Sequence, residues 1–384
     1  MVWGSAQLHW LAVMSQTPNV HFWEAAQRGD LARFRKWLPV VRKSEQFVKL
    51  LHRALSVAIC NNHVALVQAM IECGAKANTG VFQQHPLWLA ASYDCVATIA
   101  ALRTAGTSVL CYHTRTGDSA LEIACKKGHE VTVRLLLALE FPVTPRHLLS
   151  PLMHAAKFGH VGVCQALCAA KAMVNQRCDS YGDPTTTTIL CVAANRRDCA
   201  TAAVLLACKA DADLGWPLVG AVINRDTAMA RLLCEHKADV NGDVIKHPPL
   251  LCNAVASRQV AMTRVLLLAR ASPNAAGQHE TPVLSMAAQT NHVALMRLLL
   301  SCRATVDATD KHGSAALHVA ARARKANAAR VLVEAKANVN LRDKDGWTPL
   351  RSVPDGWAPL VQTPQAGQAG QTITQVLLEA KAHP

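Results

Sequence analysis

Along Pro151–Asn175, PLMHAAKFGHVGVCQALCAAKAMVN, apolar residues recur at helical spacing on both sides of Gly159. That pattern predicts two short helices that turn back on each other. A pair of this size cannot bury its own apolar face, and the same pattern returns along the chain. Ala25, Ala58, Ala90, Ala124, Ala155, Ala193, Ala221, Ala254, Ala287 and Ala320 occupy one slot, at spacings of 33, 32, 34, 31, 38, 28, 33, 33 and 33 residues. A sustained period near 33 marks a stacked repeat. Alanine suits a slot where a helix lies close to its copy in the next repeat, and it has the best helix propensity.

Each copy closes on a phrase such as Lys237-Ala238-Asp239-Val240-Asn241 or Lys336-Ala337-Asn338-Val339-Asn340, after an apolar second helix containing runs such as Leu135–Leu137, Val265–Leu268 or Leu298–Leu300. Together with Thr348-Pro349-Leu350, Ala316-Leu317-His318, Gly128-His129 and Gly159-His160, these features resemble the ankyrin repeat from roughly Val20 to the C-terminus. The resemblance implies an all-α ankyrin-repeat solenoid of about ten to eleven helix-turn-helix repeats with short β-hairpin fingers at the joints. It also implies non-catalytic binding of another protein through the concave face and fingers. On this reading residues 1–19 are an unassigned N-terminal segment and 20–384 form the repeat domain. Its repeats lie near 20–45, 46–79, 80–111, 112–145, 146–176, 177–214, 215–242, 243–275, 276–308 and 309–341, followed by an irregular 342–384. The last is irregular because Asp345-Gly346-Trp347-Thr348-Pro349-Leu350 is echoed ten residues later by Asp355-Gly356-Trp357-Ala358-Pro359-Leu360.

A solenoid grows by adding copies, so 384 residues fit one elongated domain. An apolar fraction of 51% against 17% charged residues argues against disorder. No run reaches the roughly 18–20 apolar residues of a membrane span, and MVWGSAQLHWLAVMS lacks the basic start and long apolar segment of a signal peptide. A monomer in the cytoplasm or nucleus is expected. The 14 cysteines agree with that: Cys125, Cys164, Cys168 and Cys234 stand where the repeat takes a small or apolar residue, and no Cys-x-x-Cys pair occurs, so reduced thiols and no metal site are expected.

The stops of the helices depart from the family pattern. Glycine, which adopts the left-handed conformation without strain, closes the second helix at Gly74 and Gly106. From the fifth repeat on, the slot holds Lys171, Lys209, Lys237, Arg270, Arg303, Lys336 and Lys381. In the first-helix stop Arg197, Arg225, Arg258 and Arg324 replace the glycine of Gly128 and Gly159. Two basic columns follow, and they account for much of the +14 net charge. One reading makes them solvated caps that meet the negative end of the helix dipole. The other makes Lys171, Lys209, Lys237, Arg270, Arg303 and Lys336 a basic ribbon for an acidic protein, an anionic lipid or a nucleic acid. Aromatics are 4% of the chain and few alternate with the basic residues, so an acidic protein is expected ahead of nucleic acid.

The joints carry Phe82, Tyr112, Tyr181, Trp216 and Trp347. Exposed Trp and Tyr are common interface anchors, so these five are the candidate partner-binding residues; packing of each ring onto its own hairpin is the competing reading. The joint QRCDSYGDPTTTT at 176–188 is long and ADLGWP is short, which gives the surface relief or records the tolerance of loops to insertion. Catalysis is not expected. His63, His129, His160 and His292 fill the turn slot, His154 and His318 lie in first helices, and no phosphate loop, His-Glu-x-x-His or Gly-x-Ser-x-Gly sequence occurs. No catalytic residue, cofactor or metal ligand is assigned.

Overall fold

All ten alanines of the recurring slot are fully shielded from solvent. The computed structural model describes residues 18–78, 85–108, 113, 116–139, 145–178, 187–242, 249–354 and 373–382. Two compact units divide them, one holding residues through Cys178 together with Ala207–Lys209, the other holding the rest.

In the first unit the helices come in pairs: α1 (Pro18–Arg28) with α2 (Leu31–Val41), α3 (Phe47–Cys60) with α4 (Val64–Glu72), α5 (Pro86–Ser92) with α6 (Val96–Thr104), α7 (Ala120–Lys127) with α8 (Glu130–Ala138), and α9 (Leu149–Phe158) with α10 (Val161–Ala169). Within the unit each first helix packs on the next first helix and each second helix on the next second helix. A two-residue strand, Arg177–Cys178, follows.

The second unit starts at the strand Thr187–Thr188 and pairs α11 (Ile189–Asn195) with α12 (Cys199–Ala207), α13 (Pro217–Ile223) with α14 (Thr227–Glu235), α15 (Leu250–Ala256) with α16 (Val260–Leu268), α17 (Val283–Gln289) with α18 (Val293–Ser301), and α19 (Ala316–Arg322) with α20 (Ala326–Glu334). The helix α21 (Ile373–Glu379) packs on α20. From α13 on, the same first-on-first and second-on-second packing holds. The fold is the all-α ankyrin-repeat type that the resemblance implies. Among the described residues no helix is long and apolar enough to cross a membrane.

The stops explain why the helices end where they do. Lys171, Lys209, Lys237, Arg270, Arg303, Lys336 and Lys381 all have φ between +63 and +68°, and Arg197, Arg225, Arg258 and Arg324 lie between +53 and +59°. At Lys237 the backbone N–H bonds Cys234 O at 3.0 Å and the next N–H, of Ala238, bonds Leu233 O at 3.0 Å. This is the paired closure of a left-handed cap. Ala238 and Leu233 are both buried, so at Lys237 the alanine that follows the stop supplies the apolar half of the cap, and alanine follows each of the other basic stops of the second helices. Asn62, Asp94 and Asn291 also take positive φ in the first-helix slot; short polar side chains tolerate that conformation better than most.

Joints of the second unit close as tight loops. Ala276 bridges Pro282 and Thr309 bridges Ala315, and Gly277 N–H, Asp310 N–H and Asp343 N–H bond the carbonyls of Thr281, Ser314 and Trp347 at 2.9, 3.1 and 3.0 Å. Lys344 N–H then reaches His312 O at 3.0 Å, tying one loop to its neighbour.

Candidate interaction surface

A surface built from loops can recognise a partner only if something holds the loops in register. Here the last residue of each closing phrase does so. Asn241 Nδ2 donates to Arg270 O at 3.2 Å while its Oδ1 accepts from Ser272 N–H at 2.8 Å. Asn78 repeats the arrangement on Gly106 O and Ser108 N–H, at 3.4 and 2.7 Å. Asn175 Nδ2 reaches Lys209 O at 3.1 Å. Where the side chain is only an acceptor, or only its oxygen is used, half of the link survives: Asp213 takes Asp239 N–H at 2.7 Å, Asn274 takes Thr305 N–H at 2.7 Å, and Asp307 takes Asn338 N–H at 3.0 Å. Each such bond contributes about 1 kcal/mol, and the ladder fixes the backbone of the basic stops.

A second ladder runs through the turn slot. Nε2–H of His63, His129 and His160 donates to the carbonyls of Gln27, Ser92 and Lys126 at 3.1, 3.2 and 3.0 Å. Gln259 Nε2 fills the same role on Val222 O at 3.2 Å. His292, which follows a repeat stopped by Arg258, instead accepts from its own Leu295 N–H at 3.4 Å. Two first-column arginines bond forward: the guanidinium of Arg197 donates to Asn224 O, and Arg324 Nη2 to Pro354 O at 2.7 Å. Both therefore link adjacent repeats, a role that requires three-dimensional placement to be visible.

The six ribbon residues Lys171, Lys209, Lys237, Arg270, Arg303 and Lys336 are exposed. Among the described residues none of them forms an ion pair. Left-handed geometry costs each about 1 kcal/mol relative to glycine, which the helix dipole offsets only in part.

Of the five joint aromatics, Trp216 and Trp347 are described, both in the second unit; Phe82, Tyr112 and Tyr181 lie outside the described residues, as does the echoed segment at 355–371. Trp216 is 43% exposed and caps α13 with φ +58°, ahead of Pro217 at the first helical position. Trp347 is 45% exposed, with the Arg351 guanidinium 5.5 Å from its ring centroid. Its carbonyl accepts from Nε2–H of His318 at 3.0 Å, and Nδ1 of the same buried ring accepts from Ala315 N–H at 3.2 Å. That pattern requires neutral histidine, and burial holds the His318 pKa below the ordinary 6.5. The two tryptophans belong to joints several repeats apart.

Further exposed apolar groups escape the sequence pattern: Leu268, Ile223, Tyr93 and Phe158. Lys127 Nζ stands 5.0 Å from the Tyr93 ring centroid, and Phe158 stacks on His160 at 6.3 Å.

The polar cluster on α7 and α9 brings Ser150, His154 and Glu122 together. Ser150 Oγ donates to Glu122, and Nδ1 of His154 is engaged by Ser150 O at 2.8 Å. Ser150 Oγ lies 3.5 Å from the same Nδ1, so the short bond of His154 goes to the backbone carbonyl rather than to the hydroxyl. Burial pushes the Cys252 thiol up to about 11, and burial with the adjacent Cys95 thiol pushes Cys60 up to about 11.

A family model described as ankyrin repeats (3 copies) matches residues 99–178 and 284–352. No curated protein matches the chain. Outside the matched stretches, α11 to α16 keep the same alanine slot and the same left-handed stops.

Proposed function

We propose that this ankyrin-repeat protein is a non-catalytic recognition module that holds a partner protein against its joints and first helices. Ankyrin repeats generally mediate protein–protein interaction and are typically non-catalytic. The observation that carries the reading is the half-exposed Trp216 and Trp347 on joints whose backbones are hydrogen-bonded in place. Large aromatics on a preformed frame bind with little ordering cost. The repeat boundaries given above, the concave face as contact surface and a monomeric state belong to the same reading.

The test is affinity capture by the full chain compared with a Trp216→Ala/Trp347→Ala variant of matched melting temperature. Loss of a specific captured protein supports the reading. Retention of every captured protein by the variant contradicts it.

A further inference from the structure

Four second helices of the second unit, α14, α16, α18 and α20, carry cations in two slots, whereas α12 has Ala203 in the first of them. Arg231, Arg264, Arg297 and Arg330 recur every 33 residues, two positions before the shielded Leu233, Leu266, Leu299 and Leu332, and all four arginines are exposed. Six residues further on stand the left-handed stops Lys237, Arg270, Arg303 and Lys336. Between the two columns, one helical turn past each arginine, lie Glu235, Leu268, Ser301 and Glu334, all exposed. Arg297 Nη2 lies 3.6 Å from Glu334 Oε2, so an arginine of one repeat flanks the middle slot of the next. By repeat equivalence Arg231 flanks Leu268 and Arg264 flanks Ser301.

The fold does not call for these cations. In the first unit the arginine slot is filled by Arg35, Gln68, Ala100, Arg134 and Gln165, neutral in three of five copies, and the stop is Gly74 or Gly106 before Lys171 enters. The same helix pairs form with neutral residues there, and glycine is the less strained choice at a left-handed stop. Nor is the charge uniform. Glu235 and Glu334 close the two ends, Glu334 in contact with Arg297, and the middle slot between them holds Leu268 and Ser301, leaving a window of Arg264, Leu268, Arg270, Arg297, Ser301 and Arg303. It spans two repeats, roughly 20 Å at about 8–10 Å per packed helix. Leu268, 78% exposed, stands inside it.

We propose that this window docks a short acidic peptide segment of a partner protein. Guanidinium groups take carboxylates in paired hydrogen bonds. Carboxylates seven residues apart on a helix are about 10.5 Å apart, close to one step between neighbouring repeats. Leu268 offers an apolar contact between the cations. A long polyanion or an anionic membrane would extend past the window onto Glu235 and Glu334, and the window holds no aromatic ring for single-stranded nucleic acid to stack on. The proposal uses different residues from the tryptophan joints and does not depend on them.

The test uses the full chain and three probes followed by fluorescence anisotropy: a labelled two-heptad helical peptide with glutamates seven residues apart, a labelled DNA duplex, and labelled vesicles containing phosphatidylserine. The peptide should bind at about 50 mM salt and weaken at least tenfold by about 200 mM. The variant R264Q/R270G/R297Q/R303G, which installs the residues of the first unit, should bind it at least tenfold more weakly and melt no lower. Should the fourfold variant melt low, R264Q/R297Q carries the same test. Trp216→Ala/Trp347→Ala should bind the peptide like the parent. No peptide binding, equal binding by the arginine variants, loss through the tryptophan variant, or tighter binding of duplex or vesicles than of the peptide would each overturn the proposal.

Discussion

The imidazole of His160 lies so close over Gly128 that a Cβ on the glycine would fall 2.5 Å from Nδ1, while Nε2 of the same ring reaches Lys126 O at 3.0 Å. Gly29 and His63 repeat the relationship at 2.5 Å. The left-handed φ of +77° at Gly128 and the ring above it both select glycine. Gly128→Ala should therefore destabilise by about 2 kcal/mol, from strain plus contact. His160→Ala should cost about 1 kcal/mol through its lost bond. In the double variant the two effects should sum to less than the parts, because the contact is gone; urea denaturation of the cycle measures the coupling.

At Lys237 the strain lies the other way. With φ +64° and an exposed side chain, Lys237→Gly should stabilise the chain by about 0.5–1 kcal/mol. Thermal melting checks it, and an unchanged or lower midpoint refutes the strain argument. Gly74→Lys should act in the opposite sense.

Acid should loosen the joint that holds Trp347. Burial lowers the His318 pKa in the folded chain, so the unfolded chain takes the proton more readily. The stability this ring contributes is present above 6.5 and is lost as the pH falls through the folded value. Protonation also removes the Nδ1 acceptor used by Ala315 N–H. His85 and His154 shift in the same direction, chiefly through burial. The parent should lose more stability between pH 7 and pH 5 than His318→Asn does, read by denaturant midpoints at the two pH values.

Cys252 should be slow toward alkylating reagents in the native chain. Its thiol is buried and pushed up to about 11, which leaves little thiolate near neutral pH. Peptide-resolved mass spectrometry should show at least about tenfold faster labelling after denaturation.

How much of this was legible beforehand depended on what each position answers to. The alanine slot answers to close helix packing, a local demand repeated at fixed intervals, and periodicity alone reveals it. The basic stops answer to a backbone conformation, so the slots that hold Gly159 and Gly74 in other repeats identify Arg225 and Lys237, respectively, as left-handed. Asn62, Asp94 and Asn291 escape that reasoning because such residues are also ordinary on surfaces. Arg197 and Arg324 read as free cations in one dimension, and only placement beside Asn224 and Pro354 makes them links between repeats. The column Arg231, Arg264, Arg297 and Arg330 keeps perfect period but resembles any solvated helix face until the neutral slots of the first unit are set beside it.

The central claim is that successive helix pairs shield one another through the alanine slot. Ala254 and Ala256 lie on one helix, the first fully shielded and the second exposed. Ala254→Leu should lower unfolding free energy by about 1–3 kcal/mol through overpacking, with Ala256→Leu unchanged within about 0.5 kcal/mol. Equal effects at the two positions, or a loss at Ala256 alone, would contradict the stacked arrangement.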